Sequence, residues 1–408
     1  MLIGLIFLCF GFNQNNNQKS LDNLAIEYLK LGLTIKNCYP SISFYYRGGP
    51  DSLTSFSTEI GRTSKPIIPM VPKDSLINKI ESLKFKLSKY ISSPQSDETL
   101  IMRAKWIDDQ LSVFEMEIRI ARGENFSFDD ESLNLFGVQS PTYEEQYYKS
   151  TVTKLDKFLP VEGTVSERYL RLSKKFNIPK DKIDTVFKTI IAESRRRTKE
   201  RIQLPEGESF KLKYVTGEVW AGGSIYLGNN SSLIQVNLDV PINIYRAVDI
   251  ACHEGYPGHH VYSIMMDRSR HQKGWIELSM RTNAQDFISE GIANYGIEMV
   301  FPGDEFNKYI KEVLIPLANL DTTDADLYFK VRSVKNQMKY YRNEIARGLL
   351  NGTMSSEEIL KWQIDYGLLT NEESVENMEF INKNRSYIIS YNYGEDLVRN
   401  YVEAKSGH

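Results

Sequence analysis

The sequence predicts a mainly α-helical protein with one small β-sheet next to the helix that carries its histidines. Three observations lead there. Apolar residues recur every three or four positions over most of the chain, the spacing of an amphipathic helix. Apolar and polar residues alternate, as in a strand, only over a short stretch after residue 204. A hydrophobic content of 41% with 25% charged residues is that of a folded domain, and 408 residues suffice to bury a large core.

The chain opens with an almost wholly apolar run, Met1 to Phe12, followed by polar Asn13 to Lys19. The run is too short to span a bilayer as a helix. It resembles the apolar part of a secretory signal. Residues 1–19 are therefore expected to be a targeting segment, with Cys9 a candidate lipid anchor and membrane attachment through this end alone. The missing basic residue after Met1 and the bulk of Leu8 fit a start placed inside a longer signal. Export is the expectation, and a cytoplasmic location the alternative.

Helical spacing then covers residues around 21–36, 74–92, 142–157, 165–176 and 180–201. It is clearest from Leu100 and Ile101 through Trp106, Leu111, Phe114, Ile118 and Ile120. Pro66, Pro69 and Pro72 punctuate a loop between the first two helices. These helices make up an expected N-terminal lobe, 20–203. The texture changes at Leu204-Pro205-Glu206-Gly207: Phe210, Leu212 and Tyr214 alternate with polar residues, and Leu233 to Asn237 is a second short β-like run. Gly-rich Trp220 to Tyr226 lies between them. Asp239 followed by Pro241 reads as a helix start, so a helix is predicted from Ile242 to about Met266. The rest reads as helical, which makes 204–408 a second lobe, continuous with the first.

Charge and cysteines exclude several classes. A net charge of −3 offers no electrostatic case for nucleic acid. The basic run Arg195-Arg196-Arg197-Thr198-Lys199-Glu200-Arg201 ends a helical pattern and reads as a solvated helix C-terminus. Cys9, Cys38 and Cys252 are too few and too scattered for a disulfide framework or a thiolate metal site.

Chemistry concentrates at one place. Three of the five histidines fall within His253-Glu254-Gly255-Tyr256-Pro257-Gly258-His259-His260. Imidazole nitrogens plus one carboxylate, with a position left for water, make a catalytic zinc site. The common H-E-x-x-H spacing is absent, because position 257 is Pro. In a regular helix His260 would face the right way but sit about 10 Å further along the axis. His259 is near enough only if the helix widens locally, and Pro257 and Gly258 supply a reason for that. His253 and His259 are thus the favoured ligands, with His260 their neighbour or the alternative ligand. Glu290, on a helical segment, is the candidate carboxylate ligand, and Glu254 the candidate base.

His-Glu-Gly-Tyr-Pro-Gly-His-His, with the later Glu290-Gly291-Ile292-Ala293-Asn294-Tyr295, resembles the signature of a mainly bacterial family known as domain of unknown function eight-eight-five. The likeness extends to Tyr28-Leu29-Lys30-Leu31, to Tyr45-Tyr46-Arg47-Gly48-Gly49-Pro50, and to Arg385-Ser386-Tyr387 with Tyr391-Asn392-Tyr393-Gly394. The family often has Trp after Glu-Gly, where this chain has Ile292, and its later acidic residue falls here at Glu298. The resemblance implies a zincin-like helical body of the gluzincin-like metallopeptidase clan. It also implies zinc held by His253, His259 and Glu290, and Tyr391 as the hydroxyl that serves an oxyanion, with Tyr387 and Tyr393 as alternatives. Arg385 is a candidate for gripping a substrate carboxylate. The strand ending at Asn237 would offer backbone groups to an extended peptide if it were an exposed edge. The expected activity is zinc-dependent hydrolysis of peptide bonds. The alternatives are an amidohydrolase acting on a non-peptide amide and a non-catalytic metal-binding protein of the same fold.

Overall fold

The protein is mainly α-helical with one small three-stranded sheet. The computed structural model describes residues 3–42, 44–46, 74–93, 97–218 and 220–406, with side chains of the first helix from residue 17 onward. The loop of Pro66, Pro69 and Pro72 and the Arg47-Gly48-Gly49-Pro50 segment lie outside the described residues.

In chain order, α1 (Ile3–Cys38) is followed by β1 (Tyr45–Tyr46) and by α2 (Ser75–Ile91), α3 (Glu98–Ala121), α4 (Phe128–Phe136), α5 (Glu145–Asp156), α6 (Val165–Lys174) and α7 (Ile183–Lys199). Strands β2 (Ser209–Val215), β3 (Gly222–Gly228) and β4 (Ser231–Asn237) come next. Then follow α8 (Ile244–Glu254), α9 (His259–Lys273), β5 (Met280–Arg281) and α10 (Asn283–Val300). The C-terminal part comprises α11 (Glu305–Tyr309), α12 (Ile315–Leu317), α13 (Ala325–Asn336), α14 (Tyr341–Leu350), α15 (Ser356–Asp365), α16 (Asn371–Asn384) and α17 (Tyr393–Ser406). Among the described residues no helix is long and apolar enough to cross a membrane.

Two compact units emerge. One comprises residues 1–126, 133–138 and 266–286; the other comprises 127–132, 139–265 and 287–408. Residues 139–203, grouped above with an N-terminal lobe, cluster with the second unit.

In the first unit α1, α2 and α3 bury matching stripes. Leu76, Ile80, Leu83 and Leu87 line α2, and Leu100, Ala104, Ile107, Leu111, Phe114 and Ile118 line α3, both at three- and four-residue spacing. Tyr28 stacks on Phe114 with ring centroids 5.2 Å apart. Each fully buried Leu, Ile or Phe contributes about 1.5–3 kcal/mol relative to exposure. A second face of α3 carries buried polar groups at seven-residue intervals. Arg103 pairs with Glu277, Gln110 accepts from Thr282, and Glu117 accepts from Asn283. α3 begins where the Asp97 side chain accepts from Thr99 N at 2.7 Å, a side-chain N-cap.

In the second unit the strand order is β2-β4-β3, with β4 parallel to β2 and antiparallel to β3. Asn229 and Asn230, at φ 50° and 58°, form the two-residue turn between β3 and β4. The strand offered above as a possible edge, Leu233 to Asn237, is therefore the central one, and β3 is the edge nearest the histidine helix. Alternation alone could not rank the strands, because both faces and both edges look alike in a short run.

The predicted histidine helix needs two corrections. Its cap is Asn243, whose side chain accepts from Tyr245 N at 3.0 Å, whereas Asp239 accepts from Gly217 N and ties a loop. The helix is also broken rather than widened. α8 ends at Glu254, the chain turns through Gly255-Tyr256-Pro257-Gly258 with a cis Tyr256-Pro257 bond, and α9 starts at His259. Gly258 packs so tightly on the end of α8 that any Cβ there would run into the His253 carbonyl. The basic run closes α7, and three of its four arginines are paired within the chain: Arg195 with Glu208, Arg196 with Glu193 and Glu200, Arg197 with Glu193 and Glu305.

Candidate metal centre

The break brings His253, at the end of α8, and His259, at the start of α9, face to face. Their ring centroids are 4.6 Å apart at 87°. Glu290 enters from α10. One possible ligand atom from each of the three lies within 4.8 Å of the other two. Helix α10 is held close by small residues: Gly291 abuts the carbonyl of Gly394 at the start of α17, where a Cβ would clash. That close approach accounts physically for a glycine directly after Glu290.

Each imidazole is oriented from behind. His253 Nδ1 lies 2.7 Å from Asn294 Oδ1, and the Asn294 amide nitrogen donates to the Tyr391 carbonyl at 2.7 Å. That second bond fixes which end of the amide faces the ring, so Nδ1 carries a hydrogen, and in the neutral imidazole Nε2 is the nitrogen with the lone pair. His259 Nδ1 contacts Ser289 Oγ at 3.0 Å. Both Nε2 atoms turn to Glu290, at 3.1 Å from Oε2 for His253 and 3.3 Å from Oε1 for His259. Histidine ligands of metals characteristically donate their other ring N–H to just such a group. Asn294 and Ser289 were not singled out from sequence. The available signal was position: Asn294 is one helical turn from Glu290, on the same face.

The electrostatics are unusual for an ordinary ion pair. Glu290 is buried, and among the described residues no lysine or arginine pairs with it. Its Oε2 lies 3.1 Å from His253 Nε2, and the buried Oε2 of Glu254 has no hydrogen-bond partner among the described residues. Burial would raise the Glu290 carboxyl, but the two imidazoles outweigh it and hold it well below the usual range. Burial likewise opposes charge on His253, yet the carboxylates of Glu290 and Glu254 prevail and raise its pKa to about 9. Two imidazole nitrogens and a buried carboxylate, beside a buried Glu254 oxygen without a hydrogen-bond partner among the described residues, form a donor set that fits a divalent cation.

His260 points elsewhere. It is fully buried, with Nδ1 2.8 Å from Ser232 Oγ on β4 and Nε2 3.5 Å from Glu208. Cys252 is also buried, and burial pushes its thiol up.

The remaining sequence-derived candidates fall into two groups. Tyr387 and Tyr391 lie on the 3-10 turn Arg385–Tyr391. The Tyr387 hydroxyl donates to Glu290 Oε1 at 3.1 Å, and its ring meets that of Tyr391 edge-on at 5.7 Å. Arg385 and Asn237 have partners elsewhere in the chain, and Tyr393 is placed by its backbone. The Arg385 guanidinium is engaged by buried Glu131, at 2.8 Å through Nε and 2.7 Å through Nη2, and Glu131 also accepts from Ser386. One edge of its fork, Nε and Nη2, is thus engaged by Glu131. Tyr393 opens α17 with its N–H donating to Asn392 Oδ1. Asn237 is buried, donating to the Glu218 carbonyl and accepting from Asp239 N, so it closes the loop beneath the sheet.

No protein-family model matches the chain, and no curated protein matches it. Among solved structures it is similar to a proposed lipoprotein from Colwellia psychrerythraea, at 15% identity and a TM-score of 0.48, covering 81% of this chain and 60% of that one. It is also similar to a proposed lipoprotein of unknown function from Shewanella oneidensis, at 12% identity and a TM-score of 0.47, covering 82% of this chain and 67% of that one. The chain thus spans three-fifths of the length of the first.

Proposed function

We propose that the protein is a zinc-dependent hydrolase acting on peptide bonds, with His253, His259 and Glu290 holding the metal and Glu254 serving as general base. One observation carries this reading: two imidazoles anchored through Nδ1 turn their Nε2 atoms on one buried carboxylate that, among the described residues, pairs with no lysine or arginine. Zinc held there would supply Lewis acidity and bring the pKa of a water down to about 7. Glu254 adjoins His253 in the chain and keeps a buried oxygen without a hydrogen bond, so it has a lone pair to accept a proton from water and hand to the leaving nitrogen. Tyr391, whose ring meets that of Tyr387 edge-on, would be the hydroxyl that serves the developing oxyanion, with Tyr387, which donates to Glu290, as the alternative.

The edge strand supports a peptide substrate in particular. Among the described residues β3 is an edge of the sheet, and it passes the base closely, since a Cβ on Gly222 would lie 3.3 Å from Glu254 Cγ. An extended peptide adding to this edge would run past Glu254. The apolar N-terminal run supports export, with any membrane attachment through that end.

Zinc quantitation combined with a peptide-library digest tests the reading. Wild type is expected to hold about one zinc per chain and to cleave peptides. Glu254→Gln should keep the metal while turnover falls by about 10²–10⁴-fold, the usual contribution of general acid–base catalysis. A wild-type protein without zinc, or a Glu254→Gln protein hydrolysing at the wild-type rate, would sink it.

A further inference from the structure

We infer that Glu208 is a positioning residue for the metal centre: its carboxylate gathers Tyr256 and His260, the residues on either side of Pro257-Gly258-His259, and so sets where His259 points. This rests on the reading of His259 as a ligand.

Glu208 lies on the loop between α7 and β2, about fifty residues upstream of the histidines, and its side chain is 1% exposed. A carboxylate so buried is costly unless charged or polar donors surround it. Here they do. Oε1 accepts from Arg195 Nε at 2.8 Å and Nη2 at 2.5 Å; Oε2 accepts from the Tyr256 hydroxyl at 2.5 Å and faces His260 Nε2 at 3.5 Å. These donors come from α7, from the turn between α8 and α9, and from the first turn of α9. The far side of the His260 ring is fixed as well, by Ser232 of β4, and Phe210 of β2 packs against both rings with centroids 5.3 Å from Tyr256 and 5.2 Å from His260.

The geometry gives this cluster its leverage. Consecutive residues in a helix project about 100° apart. With His260 pinned against the sheet, the rotation of the first turn of α9 is set, and His259 is directed away from the sheet toward His253 and Glu290. Tyr256 fixes the other end of the turn. The chain between the two helices is four residues long, so two anchors leave it little freedom. The tie cannot be an incidental surface contact, because Tyr256 is 2% exposed and His260 0%. The third histidine of the motif thereby acquires a function that does not involve contact with metal.

The experiment measures zinc affinity by chelator competition on the full-length protein for wild type, Glu208→Gln, Tyr256→Phe and His260→Gln. Absorption spectra of the cobalt-substituted forms are recorded beside it. Each variant is expected to bind zinc about 10–100-fold more weakly, the loss typical when an orienting partner of a ligand is removed, with an altered cobalt spectrum. Glu208→Gln combined with Tyr256→Phe should lose less than the product of the two single effects, because both act through one cluster. Tyr256→Phe removes a single hydroxyl and keeps the Arg195 pair, so it decides the matter if Glu208→Gln does not fold. Variants that bind zinc within about twofold of wild type with unchanged cobalt spectra would overturn the inference. If wild type binds no zinc, the proposed metal centre fails, and the inference falls with it.

Discussion

Two buried carboxylates, one in each compact unit, stand in opposite circumstances. Glu277 in the first unit is met by Arg103, which donates to both its oxygens at 2.6 and 2.8 Å and also pairs with Asp22. Glu290 in the second unit is met, among the described residues, by two imidazoles and a tyrosine hydroxyl. A guanidinium is permanently charged and brings five donors, so the first pair is complete in itself. An imidazole is neutral or charged according to its surroundings, so the second cluster is complete only if it takes up protons or a cation. The difference teaches how to read a buried acid: its partners say whether it serves the fold or waits for a ligand.

The largest effect is expected where the comparison is sharpest. His253→Ala or Glu290→Ala leaves two of three proposed ligands, and bound zinc should drop from about one per chain to a trace by elemental analysis. Retention of about one zinc in both variants would mean that Glu290 is merely a second Glu277.

The converse substitution is Arg103→Met. It leaves the Glu277 charge buried and unpaired, for which the typical cost is about 3–5 kcal/mol. Denaturant unfolding should show that loss while zinc per folded chain stays as in wild type. A variant as stable as wild type would show that Glu277 does not depend on its guanidinium.

Smaller effects probe the surroundings of the centre. Tyr391→Phe should keep zinc and lose on the order of 10² in turnover if its hydroxyl serves the oxyanion. Asn294→Leu removes the acceptor that orients His253, and zinc affinity should weaken by about 10–100-fold. Unchanged turnover in the first would remove Tyr391 from the mechanism, and unchanged affinity in the second would mean the ring is oriented by packing alone.

The same contrast explains what was legible in the sequence. Helices α2 and α3 could be read because their apolar stripes are local and periodic, and the predicted ranges 74–92 and 100–120 agree with Ser75–Ile91 and Glu98–Ala121 to within two residues. His253 and His259 could be named because histidines are few and clustered in this chain, and Glu290 because its segment resembles the second half of the family signature. What escaped depends on partners far along the chain. The sheet order, the capture of Arg385 by Glu131, and the role of Glu208 each join residues separated by tens to hundreds of positions. Periodicity carries no information about such pairings. The widened helix was a reasonable physical response to Pro257 and Gly258; the chain instead stops and restarts, and so turns the next histidine into the sheet.

The last prediction concerns protons. In the metal-free protein the pKa of His253 is raised to about 9, so at pH 7 the imidazole holds a proton beside Glu290. A metal ligand must be neutral, so zinc binding there has to release that proton. Affinity should therefore rise by about tenfold per pH unit from pH 7 and level off above about 9. The stability of the metal-free fold runs the other way. A histidine whose folded pKa is raised contributes stability that is fully present below its unfolded value of about 6.5 and is lost as pH passes through about 9. Between those limits the metal-free melting temperature should fall while zinc affinity climbs. Chelator competition and thermal melts across the same pH series check both slopes. A zinc affinity that does not change from pH 7 to 9 would mean the His253 imidazole is already neutral, with no proton to release when metal arrives.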